Sequence, residues 1–234
     1  MPSAYHLYKL SRIPERDHFG TQDNLYLRIG GVTNLEDCQT TMRLAQTGFR
    51  FGVDKYIADH DFLTRLKYPG RASGMQFTEY VSPYRFSVYV DRNDSPGSPI
   101  LIVQTKALVA TDFIKRMNKL EEFHALERQL DFATLRPQMG TITGGWFGNM
   151  QAANLSSTGM YGPNVDRSDE FIHAETIGTI RALSGPYSYN GSTFYMSVTQ
   201  TGAIVLNNAF DDEIQPLDIV LDIKRRLLDT CWSM

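Results

Sequence analysis

The sequence predicts an α+β protein, and three observations predict it. Short segments near the start and in the middle alternate apolar and polar residues, as half-buried strands do. Other segments repeat their apolar residues at helical spacing. After Arg136-Pro137 the chain turns rich in glycine, serine and threonine and poor in charge. These define a mixed N-terminal half, residues 1–136, with a β-hairpin and helices. A mostly antiparallel β half closed by a C-terminal helix follows over 137–234.

Taken in order, "YHLYKL" and "NLYLRI" alternate as strands. "TNLEDCQTTMRLAQTG" predicts a helix: Thr33 and Glu36 have capping-box spacing, and Leu35, Cys38, Met42 and Ala45 share a face. Gly48 stands where that helix would end. "DKYIADHDFLTRLKY" predicts a second helix, stopped by Pro69-Gly70. "YRFSVYV" and "ILIVQT" are strands joined by the turn-rich "DRNDSPGSP". From Asp112 to Leu130 the pattern is helical, with Phe113, Met117 and Leu120 on one stripe. "TITGGWFGNM" reads as a bulged strand or tight turn beside a packed Trp146. "SYNGST" places Asn190-Gly191 as a hairpin turn with Tyr187 opposite Phe194. A three-strand meander is expected from Ile177 to Leu206. The last helix, Pro216 to Leu228, buries Leu217, Val220, Leu221, Leu227 and Leu228.

Composition narrows the function classes. A chain of 234 residues, 42% hydrophobic and 21% charged, can bury a substantial core. The net charge of −3 imposes no polyanionic partner on the molecule as a whole. No apolar run is long enough to span a bilayer, and the N-terminus lacks a signal-peptide core. Cys38 and Cys231 form no metal-ligand spacing, so a reducing, cytoplasmic setting is the expectation. The five histidines, His6, His18, His60, His124 and His173, show no H-x-x-x-H pair, and no metal site is expected.

Charge is uneven along the chain. Residues 43–106 hold nine Lys/Arg against six Asp/Glu, whereas 137–234 hold five against ten. The basic segment also carries Phe49, Phe51, Tyr56, Phe62, Tyr68, Phe77, Tyr80, Tyr84, Phe86 and Tyr89. Cations among aromatics suit single-stranded nucleic acid, through phosphate pairing and base stacking. Arg65, Lys67 and Arg71 are the candidate contacts. The acidic half suits a protein partner or self-association.

"PILIVQTKALVATDF" (99–113) carries a local resemblance to the PD-(D/E)xK nuclease family, confined to a small part of the chain. The resemblance implies a divalent metal such as Mg2+ held by carboxylates, and a lysine stabilising the transition state. Lys106 would take the lysine role, and Gln104 stands where that family has an acid. Asp91 and Asp94 would supply the missing carboxylates. Hairpin geometry opposes this. A turn near residue 95 sets Gln104 opposite Phe86 and Lys106 opposite Tyr84, and leaves those acids roughly 20 Å or more from Lys106 at about 3.3 Å per residue. The leading expectation is a non-catalytic binding or regulatory protein acting in an oligomer or larger complex. The alternative is a metal-dependent nuclease or its inactive descendant.

Overall fold

The computed structural model describes residues 3–29, 32–72, 74–93, 99–152 and 154–232. It is mostly antiparallel sheet, 57% strand against 21% helix, with four α-helices. Contacts divide the chain into two compact units. One comprises residues 1–8 with 127–234, and the other residues 9–126. Strand β1 (Ser3–Arg12) begins in the first and ends in the second.

The 9–126 unit is built from long hairpins. Strands β2 (His18–Ile29) and β3 (Val32–Arg50) pair in one unbroken register from His18↔Arg43 to Ile29↔Val32. β3 turns through Phe51-Gly52 into β4 (Val53–Ala72), which pairs with β5 (Met75–Asp91). β5 then pairs with β6 (Ile100–Gln104). One further bridge joins Ile29 to Phe77. Helix α1 (Ala107–Met117) follows, and strand β7 (His124–Glu127) closes the unit's chain.

Both helices expected between residues 33 and 68 are strands. Cys38, Thr40 and Met42 are buried at a period of two, as are Asp54, Tyr56, Ala58 and His60. Cys38 and Met42 lie four apart, a spacing that suits a helix face and a strand face equally. Leu35, which the helical reading needs inside, is 54% exposed. Thr33 and Glu36, the expected capping box, lie opposite Arg28 and Leu25. Twelve consecutive pairings with β2 outweigh local helical preference, which is weak per residue. The helix expected from Asp112 to Leu130 starts at Ala107 and stops at Met117. Asn118 ends it by folding its side chain onto the backbone of Ala125, donating to the carbonyl and accepting from the N–H. Most of the turn expected at 91–99 lies outside the described residues.

The turn Phe51-Gly52 has both residues left-handed, at φ 45° and 83°. That is the conformation of a two-residue hairpin turn, adopted here with a phenylalanine in the first position. Asn93 supports it by donating from Nδ2 to the Phe51 carbonyl at 2.6 Å.

In the other unit, β1 pairs with β12 (Ile204–Leu206), Tyr5 opposite Ile204. β12 pairs with β11 (Ser192–Thr199), and β11 with β10 (Thr179–Tyr189). The Asn190-Gly191 turn is as expected, with Tyr187 opposite Phe194. Beyond β10 lie β8 (Gly144–Ala152) and β9 (Leu155–Tyr161). The pairing of β8 is irregular on both sides: against β9 its register shifts between Gly148 and Ala152, and against β10 the extra residue lies on β10, between Ile180 and Ala182. Trp146 is not packed inside as expected; it is 45% exposed, because strand alternation turns Phe147 inward in its place.

Helix α2 (Phe132–Met139) is capped by Asp131, and α3 (Asp169–Ile177) by Ser168, which accepts from the Phe171 N–H. Phe171 reaches β8 at Gly145, where a Cβ would stand 2.4 Å from the ring. Helix α4 (Ile214–Ile223) runs into a π-turn over Lys224–Leu228. Leu217, Val220, Leu221, Leu227 and Leu228 are buried as predicted. Tyr187 on β10 donates its hydroxyl to Asp222 on α4 at 2.6 Å, which ties the helix to this sheet.

Candidate functional site

The strand "ILIVQ" is β6, buried over its first four residues because β5 pairs with it in register. The observed pairing runs from Asp91↔Ile100 to Val88↔Val103, which carries Gln104 toward Ser87 rather than Phe86. Gln104 Oε1 accepts from the Tyr89 hydroxyl at 3.1 Å. Lys106 is the extended residue before α1, and its Nζ lies 5.8 Å from the Tyr84 ring centroid. Asp91 is buried at the opposite end of β6, where its side chain accepts from the Asn93 N–H. Asp94 lies outside the described residues. Glu79, the other acid near the β5 segment, faces Arg65 at 3.1 Å. Gln104 therefore meets the Tyr89 hydroxyl and Lys106 the Tyr84 ring, and no group of three or more metal-ligating side chains gathers among the described residues.

The candidate nucleic-acid residues fall on the outer part of β4. Arg65, Lys67 and Arg71 are all exposed. Arg65 is the last residue in register with β5 before a bulge, and Arg71 lies opposite Gln76 near the hairpin end. Lys67 Nζ stands 5.5 Å above the Tyr68 ring. Of the ten aromatics of this segment, Phe49, Phe62, Phe77 and Tyr84 are half-buried and the other six divide between core and surface. Tyr56, Phe86 and Tyr89 are core residues, whereas Tyr68 is 73% exposed, Phe51 66% and Tyr80 40%. Phe86 is covered by Phe113 of α1, whereas Tyr56 packs on Phe19 and Tyr89 on Phe49.

Under α1 lies a polar network. Thr40 Oγ1 and His60 Nδ1, on paired residues of β3 and β4, are 2.9 Å apart. His60 Nε2 stands 3.3 Å from Asp112 Oδ2 on α1, off the line of a hydrogen bond. Arg116, one helical turn on, approaches the same carboxylate at 3.1 Å and Asp23 on β2 at 3.9 Å. Lys119 Nζ reaches Asp23 at 2.5 Å. Burial alone would raise the Asp112 carboxyl pKa; the neighbouring His60 and the Arg116 charge overcome it and hold the group below the usual carboxylate range. Burial pushes the Cys38 thiol upward, against the pull of Arg116.

The order hydroxyl, imidazole, carboxylate is that of a nucleophilic relay. Its burial denies that chemistry a substrate, since Thr40 is fully buried and His60 is 2% exposed. Packed edge-on against the Phe113 ring at 5.9 Å, His60 locks α1 onto the strands. Sequence reasoning set His60 aside as one solvated or structural histidine among five and missed the network. The i,i+4 acid-to-arginine pair Asp112–Arg116 was the available signal.

Beside this network a cleft of about 450 Å3 opens. It is lined by Asp23, Asn24 and Leu25 of β2, Phe62, Leu63 and Arg65 of β4, and Asp112, Lys115, Arg116 and Lys119 of the α1 segment. The cleft thus reaches one of the three residues singled out for nucleic acid, Arg65. Lys67 and Arg71 lie outside its lining. No helix among the described residues is long and apolar enough to cross a membrane. The chain matches no protein-family model, and no curated protein matches it significantly.

Proposed function

We propose that this is a non-catalytic binding protein, acting within an oligomer or larger complex, that contacts single-stranded nucleic acid along the outer part of β4. The observation that carries the reading is the exposure of Arg65, Lys67 and Arg71 beside exposed Tyr68 and Tyr80. Cations neutralise phosphates, and exposed aromatic faces accept bases without regard to sequence. Tyr26, Val32 and Leu35 on the β2–β3 hairpin are also largely exposed and supply apolar surface for a protein contact.

Binding of a fluorescent oligothymidylate across a salt series tests it. Affinity falls as salt rises, and replacing Arg65, Lys67 and Arg71 with glutamine flattens the log–log slope by about 2, since each phosphate contact on a single strand contributes about 0.7. Wild-type protein that leaves single- and double-stranded DNA and RNA unshifted at low salt would end the reading.

A further inference from the structure

We propose that the cleft between α1 and strands β2 and β4 is a phosphomonoester site, with Lys115 and Arg65 as the docking cations and Arg116 as a fixed positive floor. Four cations line it against two acids, Asp23 and Asp112, and the balance stays positive when Glu79, the partner of Arg65 outside the lining, is counted. A phosphomonoester carries about −1.5 to −2 near neutral pH, whereas an internal phosphodiester carries one charge, so a positive cleft attracts the monoester more strongly.

The cations divide by role. Arg116 is 5% exposed and held by Asp112 and Asp23. Its Nη1 has almost no accessible surface, so Arg116 acts on the cleft through its charge and not as a direct contact. Lys119 is committed to Asp23. Lys115 is exposed and makes no ion pair among the described residues, so its ammonium is available. Arg65 is anchored to Glu79 through Nε and its side chain is 76% exposed, which leaves the rest of the guanidinium for an anion. Phe62, Leu25 and Leu63 give the cleft an apolar side where a sugar or base attached to the phosphate can rest.

The site rests on the nucleic-acid reading in one respect: the phosphate is taken to be the terminal phosphate of the bound strand. A free phosphomonoester offers the same group. Calorimetry with three probes separates these sources: a 5′-phosphorylated oligothymidylate, the same strand with a 5′-hydroxyl, and thymidine 5′-monophosphate. The phosphorylated strand is expected to bind at least tenfold more tightly than the hydroxyl strand. Lys115→Gln should erase that difference. Lys67→Gln, outside the cleft, should weaken both strands and preserve it.

If the mononucleotide binds, loses affinity in Lys115→Gln, and neither strand binds, the site stands and the nucleic-acid function falls. Equal binding of both strands with no uptake of the mononucleotide overturns the site and leaves the function standing. A strand preference that survives both Lys115→Gln and Arg65→Gln also overturns it. If no probe binds, both readings fail.

Discussion

Among the described residues two hairpins turn through two left-handed residues, and only one of them is visible in the sequence. At Asn190-Gly191 the turn uses the residues that adopt positive φ most readily, and the flanking strands alternate cleanly. At Phe51-Gly52 the same geometry is imposed on a phenylalanine, and the flanking strands carry apolar residues that also fit a helix. The first hairpin is specified locally. The second is specified by its neighbours: β2 on one side, β5 on the other, and α1 over the face that holds Thr40 and His60.

The contrast can be broken most severely in the cores. Both tryptophans of the chain, Trp146 and Trp232, belong to the 1–8/127–234 unit, so tryptophan fluorescence reports on that unit. Leu221→Asp places an unpaired charge among buried side chains and should cost more than about 4 kcal/mol. Its native tryptophan emission should be lost. Emission and melting behaviour unchanged from wild type would show that α4 is not part of that core.

Phe113→Ala removes the ring that packs on His60 and Phe86, at a cost of about 3–5 kcal/mol. The 9–126 unit should unfold at lower denaturant by far-ultraviolet circular dichroism, while tryptophan emission holds to its wild-type midpoint. A common shift in both signals would mean that the two units unfold as one.

A smaller effect sharpens the turn comparison. Phe51→Asn converts the second hairpin's turn into the composition of the first and should stabilise the protein by about 1 kcal/mol, because asparagine accepts positive φ more readily. A loss of stability would show that Arg50, stacked 4.3 Å from the Phe51 ring centroid, outweighs the backbone term.

The subtlest test is acidification. Asp112 has its folded-state pKa depressed, so it binds its proton less readily when folded than when unfolded. The stability it contributes is fully present above the unfolded value of about 3.9 and is lost as pH falls through the depressed folded value. Denaturant midpoints for wild type and Asp112→Asn should therefore differ at pH 6 and converge below about pH 4. A constant difference across that range would remove the carboxylate from the account.

The legibility of the rest follows the same division. The meander, its turn and the buried face of α4 could be read because period, turn residues and apolar spacing agree there. The long strands β3 and β4 could not, since Cys38 and Met42 satisfy both periods and the pairing partners are distant in sequence. Of the candidate residues, Arg65, Lys67 and Arg71 were found by charge and are exposed. The cleft was not found, because Asp23, Arg65 and Arg116 come from three elements whose convergence requires β4 to be a strand.

The pairing of Tyr5 with Ile204 orders events in time. A chain made from its N-terminus presents residues 9–126 whole while β1's first residues still lack β12. That hairpin unit can fold on the ribosome; the other unit has to wait for its last strands, β12 among them. A ribosome stalled after residue 160 should therefore carry one protease-resistant fragment that spans residues 9–126.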